Sequence, residues 1–140
     1  MAPHDSAAVM LLRQDVLVIV ANRGQHKQAD LVGKTVPSSD WFFTEVCRTK
    51  RPFYLKDARQ YPQFQNWRNY PNTHSWIILP LIVREQVLGV LTVEKEERGA
   101  YGPVETRLAH SFANQAAVAI ENARLYEAEQ KARKTGGDHA

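Results

Sequence analysis

The chain has 140 residues, of which 44% are hydrophobic and 24% charged, and its net charge is +3. This size and composition predict one globular domain, and no apolar run approaches the roughly 20 residues that span a bilayer. The single cysteine, Cys47, excludes an intrachain disulfide and a cysteine-rich zinc site.

The first residues lack a basic region followed by an apolar one, so we expect no secretory signal, and the cysteine usage favours the cytoplasm. The mild positive charge accompanies no nucleic-acid-binding motif. We therefore expect neither a membrane nor a nucleic acid as partner. Residues 1–5 are expected to be flexible, 6–130 to form the domain, and 131–140 to be a helix end and flexible tail.

The first half of the chain predicts a hairpin, a helix and a short strand. Ser6–Leu12 and Asp15–Ala21 are apolar runs rich in β-branched residues, typical of paired strands. Ser38–Arg48 begins with Ser and Asp ahead of apolar residues, which predicts a helix. Phe53–Leu55 follows Pro52 as a short strand.

The second half predicts another hairpin and one long helix. Ala58–Thr73 is irregular and polar, whereas Trp76–Val83 and Gln86–Glu94 are the strongest strand signals in the chain. Gly89 in mid-strand indicates a close approach by another element. Pro103 marks the start of the last helix. The order β-β-α-β-loop-β-β-α predicts an α+β sandwich, with an antiparallel sheet of five or six strands flanked by helices.

The last helix carries two apolar stripes at 100° per residue. The first is expected to face the core; it comprises Val104, Leu108, Phe112, Ala116, Ala119, Ile120 and Ala123. The second lies nearly opposite, with spacings of seven, three and four typical of a coiled-coil seam; it comprises Val118, Leu125, Ala128 and Ala132. A helix of some 30 residues spans about 45 Å, so its end should extend beyond the body. We expect the second stripe to meet a twin helix or a neighbouring module; the alternative is an exposed helix with stray apolar residues.

These features resemble a GAF domain. The resemblance rests on the stretch from Ser75 to Glu97, with Pro80-Leu81 and Gly89-Val90-Leu91, and on Gln115–Tyr126 in the final helix (QAAVAIENARLY). It covers about residues 6–130. It implies a sensory or regulatory domain that binds a small ligand between sheet and loops. It also implies dimerisation through terminal helices and signalling to an attached output domain, such as the histidine kinase of a two-component system. Such domains usually carry a further helix before the first strand, expected here to precede the chain.

Ten of the thirteen aromatic residues lie between Trp41 and Trp76, the segment that walls the ligand pocket in the resembled domains. Aromatic faces suit a flat ligand, with a few polar groups to orient it. The predicted ligand contacts are Trp41, Tyr54, Asp57, Phe64, Trp67, His74, Ser75 and Trp76. For any single aromatic, core packing is the competing interpretation.

No ligand or cofactor is identified by the sequence. Resembled domains that attach a bilin do so through a cysteine in the pocket segment, whereas Cys47 lies earlier, on the predicted first helix. The cyclic-nucleotide signature Asn-Lys-x-Asp-Glu is missing. Haem would need an axial ligand such as His74, but a lone histidine is more often a surface or hydrogen-bonded residue. The five histidines are scattered, without metal-ligand spacing.

Three functions are weighed. The first is a ligand-binding sensory domain that relays its state through a dimerising last helix. The second is a domain of the same fold that serves only for dimerisation. The third is an enzyme: the fold hosts a free methionine sulfoxide reductase, but that chemistry needs several cysteines. Because Cys47 stands alone, the sequence favours a regulatory domain and predicts no enzyme.

Overall fold

The computed structural model describes residues 6–24, 31–67, 73–99 and 101–137, which form a six-stranded antiparallel sheet with one helix on each face. The strands are β1 (Ser6–Arg13), β2 (Val16–Gly24), β3 (Thr35–Pro37), β4 (Phe53–Leu55), β5 (Ser75–Val83) and β6 (Gln86–Lys95). The helices are α1 (Trp41–Thr49) and α2 (Pro103–Gly137), with 3₁₀ turns at Ala58–Gln60 and Pro62–Trp67. The order across the sheet is β3-β2-β1-β6-β5-β4, which confirms the predicted α+β architecture.

Side chains of the central strands alternate between two buried faces. On β5, Trp76 and Ile78 belong to the cluster that includes α1, whereas Ile77 and Leu79 belong to the cluster that includes α2. We call the first the inner face and the second the outer face. Because both faces are covered, β5 is apolar at nearly every position, unlike a strand with one wet face.

Two tight hairpins set the register of the sheet. β1 and β2 join through Gln14 and Asp15, and β5 and β6 join through Arg84 and Glu85. Arg84 and Glu85 have φ of 52° and 67°, the left-handed values that a two-residue hairpin turn requires at both central positions. This turn forms without the glycine that usually relieves the cost of positive φ.

Gly89 on β6 lies against the backbone of β1. A Cβ atom placed there would lie 2.0 Å from the carbonyl oxygen of Met10 and 2.8 Å from Cα of Leu11. The close approach expected from a mid-strand glycine is therefore real, and the approaching element is the neighbouring strand.

Helix α1 is capped by a side chain at its N-terminus and by a backbone N–H at its C-terminus. Asp40 is its N-cap, and its carboxylate accepts a hydrogen bond from the backbone N–H of Phe43 at 3.1 Å. Lys50 at the C-cap is left-handed, with φ of 56°, and Pro52 follows two residues later. Phe42, Phe43 and Val46 turn one side of α1 into the inner core.

Helix α2 packs through alanines rather than through its largest apolar residues, which corrects the predicted core stripe. Ala113 and Ala117 are fully buried against the outer face, with Ala109, Ala116 and Ile120 partly buried beside them. The outer-face side chains Ile77, Leu79 and Leu81 already fill the space, so small residues let the helix axis approach the sheet closely.

The large members of that predicted stripe lie on the exposed side of α2. Val104, Leu108 and Phe112 are 56%, 66% and 59% exposed. Phe112 borders an open groove of about 380 Å³ whose other walls include Ala7, Val9 and Leu91. The expectation that these three residues close the core is wrong.

The C-terminal half of α2 extends beyond the sheet. From Asn122 to Lys134 every side chain except Gln130 is exposed. The helix has 35 residues, equivalent to about 52 Å. It continues to Gly137, so part of the predicted tail is helical; residues 1–5 and 138–140, also expected to be flexible, lie outside the described ranges. Within those ranges, no helix combines the length and apolar character of a membrane span.

Candidate ligand-binding site

A cavity of about 70 Å³ lies on the inner face of the sheet, where β1, β2, β5 and β6 meet the connecting segments. Its apolar wall comes from both arms of the sheet and from the segment after β2. Its polar groups come from β1 and β6 and also from Asn22 on β2, from Lys34 and from Thr35 on β3. The residues that define its character are Met10, Ile19, Leu31, Trp67, Trp76, Ser6, Thr92 and Glu94.

Trp76 is the centre of the aromatic cluster that forms one side of this cavity. Its ring contacts Phe64 at 4.9 Å and Phe42 at 5.0 Å between centroids, both edge-to-face, and Trp67 at 5.2 Å with the planes tilted by 48°. Trp76 is only 1% exposed. Edge-to-face pairs add stability beyond area burial, which favours this packing of the cavity wall.

Trp67 is held by a hydrogen bond at its polar end. The indole Nε1–H donates to Oδ2 of Asp40 at 3.0 Å, and Asp40 is itself 4% exposed. The buried donor is therefore satisfied, and the orientation of the indole is fixed.

Glu94 is the carboxylate of the cavity wall. It lies on β6 directly opposite Trp76 on β5 and Ser6 on β1, and it accepts a hydrogen bond from the hydroxyl of Thr73 at 2.9 Å. Burial raises the pKa of Glu94 from 4.5 to about 7, and the Thr73 hydrogen bond opposes that rise in part. A buried carboxyl group in a cleft, with a raised pKa, is a candidate functional group.

Two of the eight predicted ligand contacts line this cavity, and a third packs against one of them. Trp67 and Trp76 line it, and Phe64 supports Trp76 from behind. Trp41 lies at the start of α1, is 41% exposed and packs edge-to-face on Phe53. Tyr54 points to the outer face, where its ring packs against Tyr101.

The three predicted polar contacts lie together elsewhere, where they hold the segment that follows β6. The carboxylate of Asp57 pairs with Arg98 at 3.3 Å. Nδ1 of His74 lies 2.6 Å from the backbone oxygen of Glu96, and the hydroxyl of Ser75 donates to that of Glu97. None of the three is among the residues that line the cavity.

Sequence reasoning missed Glu94, together with Thr92 and Thr73. The signal was present in β6: Val90, Thr92 and Glu94 share one face, so the charged residue falls on a face that is otherwise buried. Period-two alternation identifies such a residue only when the buried face is known.

Cys47 packs against the inner cluster, where burial raises the pKa of its thiol.

Comparison with known proteins places these features in a family. A model of the GAF domain matches residues 4–121. No curated protein sequence matches the chain significantly.

Solved structures share the fold over most of the chain. The GAF domain of a phosphoenolpyruvate-protein phosphotransferase from Coxiella burnetii is 21% identical, with a TM-score of 0.76 over 90% of this chain and 77% of that one. The GAF-B domain of DevS from Mycobacterium smegmatis is 25% identical, with a TM-score of 0.69 over 90% and 86%. The type II free methionine-R-sulfoxide reductase from Thermoplasma acidophilum is 16% identical, with a TM-score of 0.72 over 86% and 81%.

The last of these similarities corrects the prediction that the protein is not an enzyme. Free methionine-R-sulfoxide reductases are enzymes, and three of them superpose on 81–86% of this chain. The prediction was wrong because it rested on the single cysteine, Cys47, which does not outweigh the similarity of the whole fold to these enzymes. The architecture is equally compatible with a stand-alone enzyme.

The match to the family model spans most of the chain, and the six-stranded antiparallel sheet with a long last helix is a GAF-like fold. The chain belongs to the GAF domain family.

Proposed function

We propose that the chain binds a small ligand in the inner-face cavity and relays the bound state through α2 as the sensory domain of a signal-transduction protein. The observation that carries this proposal is the convergence of Trp67, Trp76 and Glu94 on one enclosed space. Ligand sites combine apolar walls with a few placed polar groups, and this cavity has both. The similar structures include GAF domains of DevS and of phosphotransferases.

A single strand, β5, contacts both the cavity and α2. Trp76 faces the cavity, while its neighbour Ile77 packs in the outer cluster with Ala113 and Ala117 of α2. A shift of β5 that accommodates a ligand is therefore felt by the helix on the opposite face, since packed interiors transmit small displacements.

The proposal includes a homodimer formed by the exposed half of α2. Val118 and Leu125 are seven residues apart and are 52% and 48% exposed, and Ala128 and Ala132 continue the same stripe. Apolar residues at heptad spacing on a helix that extends past its own domain favour pairing with a second helix. The output we propose is an adjoining domain in the cytoplasm, such as a histidine kinase of a two-component system.

Thermal denaturation of the chain in the presence of candidate ligands tests the cavity. The panel comprises amino acids, cyclic nucleotides, haem and, because similar structures include its reductases, free methionine sulfoxide. A ligand at about 100 times its dissociation constant stabilises the fold by about 2.7 kcal/mol, which raises the melting temperature by roughly 8 °C.

Two tryptophan variants give the matched control. Trp67→Phe should abolish the shift, since Trp67 lines the cavity, whereas Trp41→Phe should preserve it, since Trp41 lies outside. If no compound stabilises the wild type, the sensory function fails. A dimer in that case supports the alternative, a GAF domain that serves only for dimerisation.

A further inference from the structure

The cavity has a distinct charge as well as a shape. Glu94 supplies a carboxyl group at the end of β6, flanked across the strands by the indole of Trp76 and the hydroxyl of Ser6. The Thr73 hydroxyl donates to its Oε2 atom, and no hydrogen bond to its Oε1 atom is found among the described residues. One carboxylate oxygen therefore has capacity for a further donor.

The indoles next to Glu94 offer π surface. The N–H of Trp67 is already bound to Asp40, so this side chain presents its ring rather than its donor. Trp76 lies 5.2 Å away and is directly opposite Glu94 in the sheet. Tryptophan faces attract cations, and the attraction grows when the site excludes water.

The other ionisable group of the described wall, Lys34, belongs to the far end of the cavity. The Lys34 carbonyl accepts from the backbone N–H of Ile19 on β2, and Ile19 is aligned through Met10 with Val90 on β6. Val90 precedes Glu94 by four residues, a distance of about 13 Å along the strand. The backbone of Lys34 is thus well separated from that of Glu94, and the Lys34 side chain is exposed.

Building on the proposed function, we propose that this cavity binds a small protonated amine, with the ammonium group paired to the Glu94 carboxylate and placed against the indoles of Trp67 and Trp76. An ammonium group donates to the carboxylate and interacts with the rings at the same time. When Glu94 is ionised, an anion would meet its charge, and a neutral ligand would leave the carboxylate buried without a counter-charge.

The size of the cavity limits the ligand to a few heavy atoms. A single water needs roughly 10–15 Å³ of such space, so a cavity of about 70 Å³ has room for only a few waters. A short alkylamine matches this space, and a ligand with a larger body would have to extend out of it.

Three probes of similar size and different charge test the inference: n-propylammonium, 1-propanol and propionate. Each is titrated into the ¹⁵N-labelled chain at pH 8, where Glu94 is mostly ionised, and the indole N–H signals are followed by NMR. We expect n-propylammonium to shift the signals of Trp67 and Trp76, to leave that of the exposed Trp41 in place, and to bind at least tenfold more tightly than either other probe. Propionate or 1-propanol binding as tightly, or no saturable binding of n-propylammonium, would overturn the inference.

Two charge-neutralising variants locate the effect. Glu94→Gln should raise the dissociation constant of n-propylammonium at least tenfold, while Glu127→Gln, on the exposed half of α2, should leave it unchanged. An unchanged constant for Glu94→Gln also overturns the inference. If that variant does not fold, the three-probe comparison on the wild type decides alone. The two proposals can fail separately. If a ligand of the thermal-denaturation panel binds and requires Trp67, but n-propylammonium binds no more tightly than the other two probes, the proposed function is retained and only this inference is rejected.

Discussion

Asp40 ties the start of α1 to the indole of Trp67. Its Oδ2 atom accepts from the backbone N–H of Phe43 at 3.1 Å and from Nε1 of Trp67 at 3.0 Å, 27 residues along the chain. One carboxylate thus caps a helix and fixes a wall of the cavity, so the shape of the candidate ligand site depends on a residue that does not line it.

Asp40→Ala should destabilise the domain by roughly 2–4 kcal/mol. The loss of an N-cap costs about 1 kcal/mol, and a buried indole N–H left without an acceptor costs about 1–3 kcal/mol more. Urea denaturation measures the change. Asp40→Ser keeps a hydroxyl that can cap the helix but is too short to accept from Trp67 as well. Its loss of stability should therefore be smaller than that of Asp40→Ala. Equal stability of Asp40→Ala and the wild type would contradict the double role.

Glu94→Gln should remove a pH dependence of stability. The folded-state pKa of Glu94 is raised to about 7 from 4.5, so between these values the folded state binds more protons than the unfolded state. Its contribution is then most favourable at acid pH and is lost as pH rises through 7. Relative to the wild type, Glu94→Gln should gain roughly 2 kcal/mol between pH 5 and pH 8, an upper figure because water reaches part of the carboxyl group.

Urea denaturation of the two proteins at both pH values gives that difference. Glu127→Gln, at an exposed position on α2, serves as the control and should track the wild type. A constant difference between Glu94→Gln and the wild type across the pH range would show that Glu94 ionises normally.

Gly89→Ala should destabilise the sheet by about 2 kcal/mol or more. The added Cβ would meet the Met10 carbonyl oxygen at 2.0 Å, and because that atom is backbone, β1 or β6 must move. Gly102→Ala is the comparison, because its Cβ meets only the flexible Glu105 carboxylate at 3.1 Å; at this N-cap position its cost should stay below about 1 kcal/mol. Similar melting temperatures for the two variants would refute the close approach.

Leu125→Glu should lower the mass measured by light scattering from that of a dimer to that of a monomer without unfolding the domain. It places a charge in the proposed helix seam, where the side chain is now 48% exposed. Ala123→Glu adds the same charge on nearly the opposite side of α2 and should leave the mass unchanged. A wild type that stays monomeric at high concentration would rule out the homodimer.

The two hairpins and both helices were predictable from local signals. Alternating or continuous apolar runs, separated by short polar turns, specify β5 and β6, and Asp40 ahead of apolar residues specifies α1. Strand order was not predictable, since β1 pairs with the distant β6. The short β3 gives no periodicity of its own.

The face that α2 buries was predicted incorrectly because side-chain size is a poor guide at a close helix–sheet contact. Ala113 and Ala117 are buried where the helix meets the sheet, whereas Leu108 and Phe112 are exposed. The site was half predictable: the aromatic content of the segment indicated Trp67 and Trp76, but separating Tyr54 from them required the register that places Tyr54 opposite Ile77.

Helix α2 is held by the sheet near Ala113 and Ala117, while its far half has little contact with the domain. From Ala117 to Lys134 the rise is about 25 Å, so each degree of tilt about Ala117 sweeps the Lys134 end through about 0.4 Å. The far half of α2 therefore acts as a lever arm. A tilt near Ala117 that is too small to disturb the packing of the sheet produces a larger displacement at Lys134.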